Sequence, residues 1–235
     1  MPLAGQPVAA HSPGRMPKRY GVKEKDQVVA YVVDLVLTGR LRGGHRIDRN
    51  AIAEALGVSR VPVQEAMVQL EHDGIVSTRY HRGAFVERFD AAALHEHHEL
   101  YGVLTGIASA RAATDPNPEL LGELDDTLQH MRKGKDRRLF HEGCQRFRDI
   151  VDDAYAGPRL HAAIRASQCF AASDFWVSYP RVRAELLPTY QQEATAIAAR
   201  DAAGARTACL ERSDLMATIM VAELTRRGVL AGDGG

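Results

Sequence analysis

Apolar residues recur every three to four positions after Glu24. Val28, Tyr31, Val32, Leu35 and Val36 form one stripe, and Gly39 suits a C-terminal cap, so a first helix is predicted there. Gly43-Gly44 makes a turn closed by Ile47. Asp48 can then cap a short second helix, with Ile52, Ala55 and Leu56 inward and Gly57 at its end. Ser59 caps a third helix, with Pro62 in the first turn, where a missing N–H costs nothing. Val63, Ala66, Met67 and Leu70 form its buried stripe. The pattern turns to short β-type runs at Ile75 to Arg79 and Ala84 to Glu87. Tyr80-His81-Arg82-Gly83 joins them as a hairpin, with glycine where positive φ is expected. After Asp90 only helical periods remain, at 91–113, 118–133, 136–155, 158–178, 182–200 and 202–228. Asp115-Pro116-Asn117-Pro118 and Gly157-Pro158 are clear breaks.

The expected fold is mostly α: an N-terminal winged helix-turn-helix at 21–89, then an all-α bundle of six to seven helices at 90–228. Residues 1–20, rich in Pro, Gly and Ala without a hydrophobic period, read as a disordered arm, and the Gly-rich 229–235 as a flexible tail. With 45% hydrophobic and 26% charged residues the composition is that of an ordinary globular protein. No apolar run approaches the roughly 20 residues that span a bilayer, which excludes an integral membrane protein. The first 20 residues lack the apolar stretch of a secretory signal. Cys144, Cys169 and Cys209 are odd in number and widely spaced, which fits neither a disulfide framework nor a zinc site and suits a reducing cytoplasm.

A net charge of zero hides an asymmetry. Residues 1–88 hold 13 Lys and Arg against 9 Asp and Glu, and residues 89–235 hold 17 against 21. A basic head on an acidic body points to a nucleic-acid partner for the head. Two short helices joined by Gly57-Val58-Ser59 and followed by a wing can place the third helix in a major groove. Ser59 and the free N–H groups of that helix suit a phosphate. Arg60 and Gln64, four apart, share one face and suit base edges, arginine for guanine and glutamine for adenine. Val61 suits a thymine methyl group, and Arg49 and Asn50 suit phosphate contacts. The wing tip His81-Arg82-Gly83 suits the minor groove or the backbone. Singly, Arg60 and Arg82 would read as solvated charges; the order of the elements makes them a surface for double-stranded DNA.

The runs Gly39-Arg40-Leu41-Arg42-Gly43-Gly44-His45-Arg46-Ile47 and Leu56-Gly57-Val58-Ser59-Arg60-Val61-Pro62-Val63-Gln64-Glu65-Ala66 resemble the N-terminal domain of GntR-superfamily bacterial transcription regulators. The family pattern reads Leu-Gly-Val-Ser-Arg-Thr-Pro-Val-Arg-Glu-Ala-Leu, so Val61 replaces a threonine and Gln64 an arginine. The helical remainder resembles the ligand-sensing domain of the FadR (FCD) subfamily. The resemblance implies a homodimer on a palindromic operator, with a small-molecule effector bound in the body.

Many members of that subfamily hold a divalent metal with an Asp, a His four residues later and two more His on later helices. Laid on this chain, the pattern falls on Cys144, Arg148, Tyr190 and Arg212, so the resemblance implies an effector site without a metal or other cofactor. Periodicity points inward for the same residues: Phe140, Cys144, Phe147, Arg148 and Val151 share one stripe, and Ala205, Ala208, Cys209, Arg212, Leu215, Met216 and Ile219 another. An arginine on such a stripe needs a partner. The partner is either the carboxylate of an organic-acid effector or an internal Asp such as Asp149 or Asp174. Tyr101 and Thr105 join the wall by helical phase alone. His95 and His98 read as a surface pair near the domain junction, and Phe175, Trp176 and Tyr179 as pocket lining or core. No phosphate loop, nucleophile motif or catalytic carboxylate pair is present, so an enzyme is not expected. Two readings stay open: an effector-responsive transcription regulator, or a DNA-binding module whose body only mediates oligomerisation.

Overall fold

The structure is a computed structural model that describes residues 23–171 and 173–230. The expected arm at 1–20 lies outside the described residues. The head contains α1 (Glu24–Leu37), α2 (Arg49–Leu56), α3 (Arg60–His72), β1 (Val76–Arg79) and β2 (Gly83–Val86). Its core is the meeting of two predicted stripes: Val28, Val32, Leu35 and Val36 of α1 with Val63, Ala66, Met67 and Leu70 of α3, all buried. Asp48 caps α2 by accepting from the Asn50 and Ala51 N–H groups. Gly57 closes α2 at φ 64°, a left-handed conformation that glycine reaches without a Cβ penalty, and so sets the turn into α3. β1 and β2 pair antiparallel from Val76↔Val86 to Arg79↔Gly83, and Arg46 bridges to Phe85 beside them.

The body contains α4 (Ala91–Thr114), α5 (Pro118–Lys133), α6 (Arg137–Tyr155), α7 (Pro158–Ser167), α8 (Phe175–Ser178), α9 (Val182–Ala198) and α10 (Ala202–Arg226). Its spine is α4 packed antiparallel on α10. A Cβ on Gly102 would lie 2.8 Å from the Ser213 Cβ, so the axes approach as closely as they do because position 102 has no side chain. The α5, α6 and α9 helices complete the bundle through Leu120, Leu124, Leu128, Phe140, Phe147, Leu186 and Ile197.

Two expectations are corrected. The helix expected at 158–178 is two helices, α7 ending at Ser167 and α8 beginning at Phe175, and Phe170, Phe175 and Trp176 are all buried in the core. Trp176 Nε1 and Ser173 Oγ both donate to the Phe170 carbonyl, at 3.1 and 2.7 Å, which satisfies an oxygen that helix continuation would otherwise use. The tail does not begin at 229: Leu230 is buried, and Val229 packs on Gly39 of the head.

Candidate functional site

α3 presents one face to the head core and the opposite one to solvent. Arg60, Val61 and Gln64 are exposed, and Val61, at 65% exposure, is a large apolar side chain with no covering element. Ser59 stands at the N-cap without a side-chain hydrogen bond, so the first N–H groups of α3 face outward unclaimed by its hydroxyl. Arg49, Asn50, Arg60, Val63 and Gln64 line a shallow cavity of about 240 Å³ where α2 meets α3. Arg49 donates from Nη1 to Gln64 Oε1 at 2.7 Å. On the wing, His81 at φ 58° and Gly83 at φ 97° make the tight tip, with Tyr80 and Arg82 exposed. Arg46 lies across Gly83, and the Arg79 guanidinium stands 4.7 Å from the centre of the Phe85 ring. The sequence did not single out Arg46 and Arg79, because both stand in exposed stretches with no burial alternation to mark them.

In the body, a cavity of about 260 Å³ is lined by Tyr101, Cys144, Arg148, Asp149 and Tyr190, with Gln168 and Ala171 at its edge. Behind it lies a buried ion cluster. Glu193, fully buried on α9, accepts from Arg148 Nη2, Arg212 Nη1 and Ser109 Oγ, each at 2.5 Å. Burial alone would raise the Glu193 carboxyl, but the two guanidiniums more than offset that and hold it below its ordinary value. The Arg212 guanidinium also sits 4.3 Å from the centre of the Tyr190 ring, which separates it from the cavity side. Arg148 keeps a buried Nε without a partner, and so does Asp152 Oδ1 one turn further along α6. Burial pushes the Asp152 carboxyl up to about 6 against the pull of Arg148.

The fold thus brings Tyr101, Cys144, Arg148 and Tyr190 to one cavity and leaves two expected members out. Thr105 is buried and donates to the Tyr101 carbonyl at 2.8 Å, and Arg212 is held behind Tyr190 by Glu193. The residues do not fit a divalent metal. Burial pushes the Cys144 thiol up to about 12, so it stays protonated, and a permanent cation occupies the next position on that stripe.

The comparisons with known proteins bear on both halves. Residues 24–86 match the family described as bacterial regulatory proteins, gntR family. An HTH-type transcriptional regulator of Mycobacterium tuberculosis strain H37Rv is 60% identical over 220 residues, covering 94% of this chain and 90% of that one. The chain belongs to the GntR family. A GntR-family regulator from Pseudomonas syringae superposes with TM-score 0.54 at 15% identity, covering 87% of each chain. E. coli McbR/YncC superposes with TM-score 0.57 at 21% identity, covering 88% of this chain and 99% of that one. Both show the same fold. This GntR protein is therefore a DNA-binding transcription regulator and not an enzyme. None of its described helices is long and apolar enough to cross a membrane.

The ion partners expected in the regulator were Asp149 or Asp174, and the structure supplies Glu193 instead. Asp149 is exposed, and Asp174 pairs with Arg138 at 3.6 Å. The missed signal was Glu193's place on the apolar stripe Leu186–Tyr190–Ile197. The expected surface pair of His95 and His98 also fails. His98 is fully buried, and burial pushes its ring down to about 3 and that of His97 to about 4, so both are neutral at pH 7. Phe175 and Trp176 are core, with Tyr179 stacked beside them, and all three lie away from the cavity.

Proposed function

We propose that this GntR regulator has a body of the FCD type, that it binds a palindromic operator as a homodimer, and that a small anionic effector in the body modulates its operator affinity. The observation that carries the effector reading is the cavity wall. Arg148 lines it and belongs to a buried cluster of two guanidiniums and one glutamate in which its Nε has no partner, so an organic carboxylate in the cavity supplies a compensating charge and a further acceptor for the guanidinium. Tyr190 adds a hydroxyl donor. In the head, Ser59, Arg60, Val61 and Gln64 meet the major groove, Arg49 and Asn50 flank them, and His81, Arg82 and Gly83 follow the adjacent minor groove or backbone.

A route for coupling runs through the non-helical segment between α7 and α8. Gln168 and Ala171 edge the cavity, while Phe170 between them packs on His97 at 4.6 Å and on Phe89, in the link from wing to body, at 5.6 Å. An effector that prefers one setting of this segment biases the head by its differential affinity for the two settings. Because one winged helix reads few base pairs, two heads are needed for specificity. Exposed Leu100 and Val103 on α4 and Leu210 on α10 offer the apolar face on which a second copy pairs.

A thermal-shift screen of organic acids tests the effector reading. It expects a stabiliser whose effect is lost in Arg148→Gln and in Cys144→Met, which narrows the cavity. A screen without any stabilising acid, or a stabiliser indifferent to both substitutions, refutes the assignment of this cavity and favours a body that only mediates oligomerisation.

A further inference from the structure

The Arg49–Gln64 contact changes what the recognition helix can read. Arg49 opens α2, Gln64 lies in the second turn of α3, and the bond between them crosses the helix-turn-helix at 2.7 Å. A guanidinium has five N–H donors and no acceptor, so the amide atom facing it must be the carbonyl oxygen. Gln64 is thereby oriented with its oxygen toward Arg49 and its NH2 group turned away. Arg60 borders the same shallow cavity, so apart from Asn50, whose amide oxygen is a second acceptor, the polar side chains gathered there present N–H donors, with the Gln64 carbonyl already engaged.

Glutamine reads adenine through two simultaneous bonds, donating to N7 and accepting from the N6 amino group. Here a cation holds that oxygen and stands where the adenine amino group would approach, setting donor against donor. Guanine offers two acceptors, N7 and O6, on the same edge. We infer that Arg49 and Gln64 act as one reading unit, a donor-only face that selects guanine at the base pair Gln64 contacts. Arg49 is then a specificity residue and not only a phosphate contact. Two side chains recreate the donor face that the family pattern's arginine presents from position 64 alone. The inference rests on α3 being the groove-reading helix, and it reverses the preference for adenine expected from Gln64 by itself.

The test is in vitro selection from a randomised DNA duplex library with the full chain, followed by affinities for single-base operator variants. The expected wild-type half-site carries guanine at one position that Gln64→Ala randomises. Arg49→Ala frees the Gln64 carbonyl and moves that same position to adenine, by about tenfold or more in relative affinity, with other positions unchanged. Arg49→Lys, which still donates, keeps guanine. Gln64→Glu keeps the pairing with Arg49 but removes the NH2 group, and it should lose the guanine preference in a chain that melts no earlier than wild type. Adenine at that position in the wild type, or the same base selected by wild type and Arg49→Ala, overturns the proposal. If Gln64→Ala and Arg60→Ala leave every position unchanged, α3 is not the reading helix, a failure distinct from that of the paired unit.

Discussion

Replacing Glu193 by glutamine tests what holds the body together. The substitution keeps shape and removes one charge from a site with no exposed surface, where Arg148 and Arg212 each donate at 2.5 Å. Two guanidiniums, 6% and 1% exposed, would then face each other with no counter-charge among the groups that hold them. Breaking a buried pair by removing one partner costs about 3–5 kcal/mol, because the surviving charge stays desolvated. At about 2–4 °C per kcal/mol for a chain of this size, the melting temperature should fall by roughly 6–20 °C. The single tryptophan, Trp176, is 1% exposed within the body, so its fluorescence reports the transition directly. The same substitution raises the cluster's positive charge, so chloride or an organic acid should restore more stability to Glu193→Gln than to wild type. Replacing all three residues by apolar ones of similar volume should recover most of the loss. A melting temperature within about 2 °C of wild type for Glu193→Gln would show that water or other groups already solvate the cluster, refuting the argument from burial.

Arg60→Ala should abolish sequence-specific DNA binding in a fluorescence-anisotropy titration while leaving the melting temperature within about 1 °C, because the side chain is exposed. For Asp152, the folded carboxyl titrates at about 6 against an ordinary 3.8, so the folded state binds the extra proton between these values and stability falls as pH rises through that window. Asp152→Asn should therefore stabilise the protein by up to about 3 kcal/mol at pH 7.5, shrinking to about 1 kcal/mol at pH 4.5, as read from denaturant titrations at both pH values. An equal gain at both would rule out the carboxyl as the cause. Phe170→Ala should leave effector binding intact by calorimetry but weaken its influence on operator affinity; unchanged coupling would place the route elsewhere.

Much of the head was legible along the chain because its cues are local. Asp48 caps α2, Gly57 turns the chain left-handed, Pro62 sits where a helix tolerates it, and the stripes of α1 and α3 have the period that buries them against each other. The inward stripe of α6 was equally readable, and with it the convergence of Cys144 and Arg148 on one cavity. What only the tertiary structure decided are the relations between residues far apart in sequence. Glu193 meets Arg148 across 45 positions and Ser109 across 84, and no period on one helix reveals which charge on another will face it. The direction of the Gln64 amide follows from a neighbour 15 residues away on another helix. The break between α7 and α8 arises because Phe170, Phe175 and Trp176 gain more by packing together than the backbone gains by continuing its helix. Local propensity depends on residues three or four apart and is written in order along the chain. Charge pairing and packing depend on which surfaces the fold brings into contact, and burial then makes those few contacts strong enough to overrule the local pattern.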